Sequence, residues 1–493
     1  MTTIEMAKVL RLLDANVVMM GQLANGMRIL VIGADTRSGI AQVQIDVRVG
    51  DVNEGMPEAG KPEDGKRECA HFLEHLVASR LFSDKYDGTS GRDAKKWVED
   101  HGIESNAFTS AVRTSHYMAG LADFLHDMID IQIGAIADFP KHFEKLNRAN
   151  PGETSAFVKE AAAVQRELNS KIDDPEYVIY EGMNRVLFAG NPRSVPQSFD
   201  SANVVKLTPK TVMEFFTKHY VARNMMITIA APLKMCDIAG IMNKLEYFTF
   251  AKADPPPYQV AKANFSVASP PNFIKLATSS TVHVIFAWPI TLSLYEKTIE
   301  KQRQVAALSA VTYMLTGGFT SRLLGRLRVK EGMVYSVSAD ASLDERSEGL
   351  GFYEISTSVD AANVKKLIEN VFAELKKLAD AGPTADELAK YKISVKTSIY
   401  RRIQNRMPSK WVDEYSNMAL FADDKDFDSS QQLEELAYSI SKRSALALTV
   451  TSMGIQEMAR QLFEKESKRM LFTYAYTTEI RGIEETLKRV ISL

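Results

Sequence analysis

The pentapeptide His71-Phe72-Leu73-Glu74-His75 constrains the local fold more than any other feature of the chain. His71 and His75 are four residues apart, so in a helix both imidazoles leave one face about one turn apart and can bind the same metal ion. Glu74 would then face a water at an open coordination position. The alternative is two surface histidines on an ordinary helix. With only 8 histidines in 493 residues, a chance match is improbable.

A third metal ligand is expected, because a catalytic zinc ion usually has three protein ligands and one water. Residues 160–167 predict a helix with an alanine-rich interior and neither glycine nor proline. Glu160 and Glu167 are seven residues apart and therefore lie on one stripe of that helix. One carboxylate can bind metal while the other binds water or substrate. Taken alone, this spacing is more typical of a solvated helix face.

The order H-x-x-E-H is the reverse of the H-E-x-x-H zinc-protease signature. Together with Glu160 and Glu167 it resembles the pitrilysin-type (M16) zinc metallopeptidases, which include bacterial members and the mitochondrial processing peptidases. The resemblance implies that His71, His75 and Glu167 bind one Zn²⁺ per chain. It also implies that Glu74 is the general base of peptide hydrolysis and that Glu160 is an accessory catalytic carboxylate.

Two further segments are similar to substrate-binding parts of the same family. The segment Asn106-Ala107-Phe108 resembles the strand beside the metal on which a peptide pairs as an added strand, a mode that reads backbone rather than sequence. In the second half, Arg328 and Tyr335 follow a glycine-rich stretch and resemble an arginine–tyrosine pair that binds the substrate carbonyl from the other domain. Without the upstream motif, these two residues would be read as a surface cation and a strand-edge aromatic.

The predicted fold class is α+β, with two homologous α/β-sandwich domains in which an antiparallel sheet is covered by helices. Strand and helix patterns recur in the same order on either side of a proline-rich linker at 251–272. We therefore expect an N-terminal zinc-bearing catalytic domain at 1–250 and a C-terminal domain without metal at 273–493. Each half is long enough to bury its own core.

Composition agrees with a globular enzyme and identifies few partners. The net charge of −2 gives no reason to expect nucleic acid or an anionic membrane. No run approaches the roughly 20 apolar residues that span a bilayer. Cys69 and Cys236 are too few for a disulfide framework and fit a reducing compartment. With no evident signal peptide in the sequence, the expected location is cytoplasmic.

The function predicted from these features is that of a zinc metalloendopeptidase acting on unfolded peptides or presequences. Two-domain relatives close a chamber by pairing chains, so the resemblance implies a homodimer or a heterodimer with a related subunit. The same family also includes silent subunits with structural or assembly roles, which typically lose metal-site residues. This chain keeps all of them, which favours an enzyme; a non-catalytic or partner-dependent subunit is the alternative.

Overall fold

The computed structural model contains two β-sheets, one in each half of the chain, with helices packed against both. It describes residues 16–34, 39–54, 67–80, 93–149, 156–194, 202–232, 237–248, 250–251, 253–256, 263–265, 270–292, 298–343, 351–404, 408–421 and 445–492. Part of the expected linker at 251–272 lies outside these ranges, as does Cys236. No helix in the described ranges is both long and apolar enough to cross a bilayer.

The first sheet has six strands among the described residues. They are β1 Asn16–Gln22, β2 Arg28–Ala34, β3 Ile40–Val47, β4 Glu104–Thr109, β5 Thr114–Leu121 and β6 Met225–Pro232. Their order is β1-β2-β6-β3-β5-β4, and only the β2–β6 pair is parallel. Asn25 and Gly26 make the predicted turn between β1 and β2, with Gly26 at φ 94°, a conformation that glycine adopts without strain.

The second sheet repeats this plan with five described strands. They are β7 Asn272–Lys275, β8 Val282–Ile290, β9 Val337–Ser342, β10 Gly351–Val359 and β11 Leu471–Tyr476. The order β7-β11-β8-β10-β9 matches the first sheet from β2 to β4, including one parallel pair, β7–β11. The predicted duplication is therefore visible in the topology.

Helices cover both sheets. They are α1 Cys69–Arg80, α2 Ala94–Asp100, α3 Leu125–Ala137, α4 Phe139–Ala149, α5 Ala156–Ile172, α6 Pro175–Leu187, α7 Ala202–Lys206, α8 Pro209–His219, α9 Ile238–Tyr247, α10 Ile299–Thr316, α11 Val364–Ala381, α12 Ala385–Gln404, α13 Pro408–Leu420, α14 Ser452–Arg460 and α15 Ile483–Ile491. α1 buries Phe72, Leu73 and Leu76 in the core of the first half, which leaves the two motif histidines on its other side.

Each half contributes one helix to the sheet of the other half. α6 packs against β7, β8 and β11, burying Val178 and Met183 among residues of the second sheet. α13 packs against β2, β3 and β6 and buries Tyr415 on the first sheet. Gly182 permits the close approach of α6, because a Cβ there would lie 2.0 Å from the Cδ1 atom of Ile274. The two halves are therefore joined by reciprocal helix exchange.

The predicted α+β class with two sheet-and-helix units is confirmed by this architecture. The sheets differ from the expected antiparallel form by one parallel pair each. The cause is that β6 and β11 return through long helical connections and insert beside β2 and β7, and parallel neighbours require such crossovers. Several predicted elements agree closely with the observed ones, among them β5 and α12, whose bounds are the predicted Thr114–Leu121 and Ala385–Gln404.

Candidate metal centre

Two helices bring three potential metal ligands to one point. The Oε2 atom of Glu167 on α5 lies 3.5 Å from Nε2 of His71 and 3.2 Å from Nε2 of His75 on α1. The two imidazole rings are 4.9 Å apart at an interplanar angle of 81°. Ligands held about 2.1 Å from a tetrahedral zinc ion are about 3.4 Å from one another. The observed spacing of these donor atoms therefore fits zinc.

A second carboxylate lies near the other nitrogen of each histidine. Glu68 Oε2 is 3.7 Å from Nδ1 of His71, and Glu160 Oε2 is 3.9 Å from Nδ1 of His75. Carboxylates in this position orient histidine ligands and increase their basicity. Burial by itself lowers the pKa of His71, but Glu167, Glu68 and Glu74 outweigh it and raise the pKa to about 10. The surroundings thus favour a positive charge at this point.

Glu74 faces the same cavity and is held by one described hydrogen bond. Its Oε2 accepts the hydroxyl proton of Thr109, at 2.9 Å, from the end of β4. The residue is only 7% exposed, and burial raises the pKa of its carboxyl group, although His71 and Thr109 act against that rise. A carboxylate with a raised pKa is a better proton acceptor, which is what a general base requires.

A cavity of about 520 Å³ opens over these groups. Its lining comprises Asp51, His71, Glu74, His75, Ala78, Ser105, Asn106, Ala107, Phe108, Thr109, Glu167 and Lys171. All three predicted substrate-binding residues of β4 are therefore in the lining. β4 is the last strand of the first sheet, so one of its edges lacks a neighbouring strand among the described residues. That edge can accept an extended peptide.

Three predicted site residues lie away from the cavity lining. Glu160 is on the Nδ1 side of His75, where it can orient that ring rather than contact a ligand in the cavity. Arg328 and Tyr335 lie together in the second half, the guanidinium carbon 4.6 Å from the centre of the tyrosine ring. Tyr335 is 79% exposed. The structure brings this pair together but does not bring it to the metal ligands.

Sequence reasoning missed several residues that support the site. Glu54 accepts the backbone N–H groups of Glu68 and Ala70, and so satisfies donors at the start of α1. Glu68 has φ 66°, in the left-handed region, and its backbone is stabilised there by that hydrogen bond. Lys171 pairs with Glu167 at 2.8 Å. Of these residues, only Lys171 could have been predicted from the sequence, because the spacing Glu-x-x-x-Lys on a helix indicates an ion pair.

Comparison with known proteins shows similarity to one family of peptidases. Residues 206–395 match the family described as "Peptidase M16 inactive domain". A protein of Rickettsia bellii named "Uncharacterized zinc protease" is 24% identical over 407 residues, which cover 81% of this chain and 87% of that protein. The chain is thus similar to M16 peptidases over this range and over its alignment with the named zinc protease. The matched range begins after Glu167, so the word "inactive" describes a part of this chain that lies outside the candidate metal centre.

Solved structures share the fold of this chain. A protease from Helicobacter pylori has a TM-score of 0.73 at 17% identity and is covered over 99% of its length, against 93% of this chain. A chain from complex III of Candida albicans has a TM-score of 0.70 at 12% identity, with 95% of this chain and 99% of that chain covered. The same architecture thus occurs in a protease and in a chain of complex III, so the fold alone does not show which activity this chain has.

Proposed function

We propose that this chain is an M16-type zinc metalloendopeptidase that hydrolyses unfolded peptides or extended presequences. The observation that carries the proposal is the convergence of His71, His75 and Glu167 at the spacing of a tetrahedral site, with Glu74 beside them. Zinc held by these three residues would polarise the scissile carbonyl and lower the pKa of a water molecule. The relatives named zinc proteases support the same assignment.

Glu74 has the role of general base in this proposal. It takes a proton from the attacking water and returns that proton to the leaving amine. The hydrogen bond from Thr109 restricts the carboxylate to one orientation, so little reorganisation is needed when the proton moves. Glu160 and Glu68 orient the two histidines through their Nδ1 sides.

The proposed substrate is an extended backbone. A peptide paired along the free edge of β4 would lie across Asn106, Ala107 and Phe108 and pass the base. A folded protein offers few such segments, which is why unfolded chains are the proposed substrates. Arg328 and Tyr335 are proposed to bind the substrate carbonyl after the second half, or a second subunit, closes over the cavity. We accordingly propose a homodimer or a heterodimer with a related chain.

The second candidate is a non-catalytic or partner-dependent subunit with a structural or assembly role. The fold shared with a complex III chain is the observation that supports it. Against it stands the complete set of ligands and base, since a purely structural subunit has no need for a buried carboxylate next to two histidines. Zinc binding and hydrolysis separate the two candidates.

The test is cleavage of a mixed-length peptide library by the purified full-length chain, before and after chelation and after zinc is restored. Zinc-dependent cleavage of peptides, with folded proteins left intact, is the expected result. One bound zinc per chain without cleavage would point to a missing partner subunit. A chain that binds no zinc would overturn the peptidase proposal and favour the structural alternative.

A further inference from the structure

Glu167 directs its two carboxylate oxygens to different partners. Oε2 faces both histidines, whereas Oε1 is 2.8 Å from Nζ of Lys171. Lys171 is four residues further along, in the last turn of α5, and it lines the cavity. The lysine therefore forms an ion pair with the carboxylate oxygen that does not face the histidines.

We propose that Lys171 is a positioning residue that keeps Glu167 a single-oxygen metal ligand and fixes the direction of its carboxylate. The inference rests on the proposed zinc site. A glutamate side chain has three rotatable bonds, and 39% of the Glu167 side chain is exposed, so packing alone restrains it weakly. Carboxylates bind metal ions with one oxygen or with both. An ammonium group that holds Oε1 leaves one oxygen for the cation and preserves the four-coordinate geometry of zinc.

Lys171 is itself restrained from the following helix. Its ammonium lies 6.0 Å from the ring centre of Tyr177 in the first turn of α6, within the range of a cation–π contact. α6 is the helix that packs on the second sheet, where Asn272 donates a hydrogen bond to the carbonyl of Gly182. A cation near the carboxyl end of α5 is also favoured by the helix dipole. The Glu167 carboxylate is thus linked, through Lys171 and Tyr177, to the helix α6 that packs on the second sheet.

The plain alternative is an ordinary surface ion pair, and the chain contains a matched example. Lys488 lies 2.6 Å from Glu484, also at i,i+4, on the exposed face of α15, with 74% and 50% of the two side chains accessible. Solvent-exposed ion pairs of this kind contribute little to the free energy of unfolding. The Lys171 pair is less exposed, with 35% and 39% of the two side chains accessible, and its carboxylate also faces two histidines.

The experiment measures zinc affinity by competition with a chromophoric chelator for four full-length proteins: wild type, K171M, K171R and K488M. We expect K171M to bind zinc about 10-fold more weakly, as removal of an outer partner of a ligand typically does. K171R keeps the cation and should restore most of the affinity, and K488M should match wild type. The cobalt-substituted K171M protein should also lose visible absorption intensity, because freeing Oε1 permits a higher coordination number. A purely structural role for Lys171 would leave that spectrum unchanged.

The outcomes separate this inference from the proposed function. If wild type binds no zinc, the zinc-peptidase proposal itself fails. If wild type binds zinc and K171M has the same affinity and the same cobalt spectrum, only the role of Lys171 is overturned. Equal losses in K171M and K171R would also overturn it, because the charge would then not be the cause. A raised KM for acidic peptides with unchanged zinc affinity would make Lys171 a substrate contact and not a positioning residue.

Discussion

Five strands have the same order in both halves of the chain, but two equivalent helices carry different side chains. In the first half, α1 carries His71, His75 and Glu74 and α5 carries Glu167, the proposed metal ligands and general base. Their counterparts by position are α10, between β8 and β9, and α12, which packs against α10. α10 has no histidine, and its one carboxylate, Glu300, lies in the first turn. The fold therefore supplies the place for a metal centre, and the side chains decide whether one exists.

The carboxylates of α12 have local structural roles. Asp386 pairs with Lys390 at 2.7 Å, and Glu387 binds Arg322 and accepts the backbone N–H of Thr384 at the start of the helix. On α5, by contrast, Glu167 faces the two histidines of α1. The difference shows that an acidic residue on an equivalent helix is no evidence of a site unless its partners are also present.

The largest expected difference between the halves concerns zinc itself. His75→Ala removes one of three ligands and should lower zinc affinity by more than the roughly 10–100-fold that loss of an outer partner costs, with hydrolysis lost in parallel. His283→Ala, in strand β8 of the second sheet, is the control and should keep one zinc per chain. Metal content after dialysis and chelator competition measure both. Stoichiometric zinc in His75→Ala would mean that this histidine is not a ligand.

The next largest effect concerns the general base. Glu74→Gln keeps the volume of the side chain but removes its ability to accept a proton, so kcat should fall by about 10²–10⁴ while zinc stays bound. Glu300→Gln places the same change on the equivalent helix of the second half, where turnover should be unaffected. Rates are measured on zinc-replete protein. Retained turnover in Glu74→Gln would remove Glu74 from the mechanism.

The sequence was sufficient to predict the elements that follow simple periodicities and the residues of the motif. The β1–β2 turn at Asn25-Gly26 and the helix of the two histidines are determined by residues close together in the chain. Both can therefore be predicted from a single sequence. The hydrogen bonds of Thr109 and Glu54 could not be predicted, because these side chains reach Glu74 and the start of α1 from distant elements. Their hydrogen bonds depend on the tertiary arrangement.

The packing of α6 and α13 on the sheet of the other half could likewise not be predicted from the sequence. α6 and α13 are amphipathic in the ordinary way, and an apolar helix face does not specify which sheet will cover it. Arg28 is the sharpest case: an arginine in a strand is expected to be exposed, yet this one is 1% exposed. Its partners include the carbonyls of Ala419 and Leu420 at the end of α13.

That arginine gives the third prediction. Arg28 donates two hydrogen bonds of 2.8 Å to these carbonyls, and Arg28→Met would leave the carboxyl end of α13 without them. We expect the free energy of unfolding to fall by about 2–3 kcal/mol, the usual scale for hydrogen bonds to a charged group. Arg48→Met is the control, since Arg48 donates to the carbonyl of Arg223 at a solvent-accessible position. Urea denaturation of the full-length variants measures both; equal losses would show that burial of Arg28 adds nothing.

The smallest expected effect tests the reciprocal exchange of α6. Tyr180 donates its hydroxyl proton to Oε1 of Glu354 on β10, at 2.5 Å, and burial raises the pKa of that carboxyl group. Tyr180→Phe removes one neutral donor at a half-buried position, so the free energy of unfolding should fall by about 1 kcal/mol, less than for Arg28→Met. Tyr400→Phe, at an exposed position on α12, should change nothing measurable. If Tyr180→Phe costs as much as Arg28→Met, the two exchanged helices depend equally on their polar contacts, and the asymmetry between the halves is confined to the metal centre.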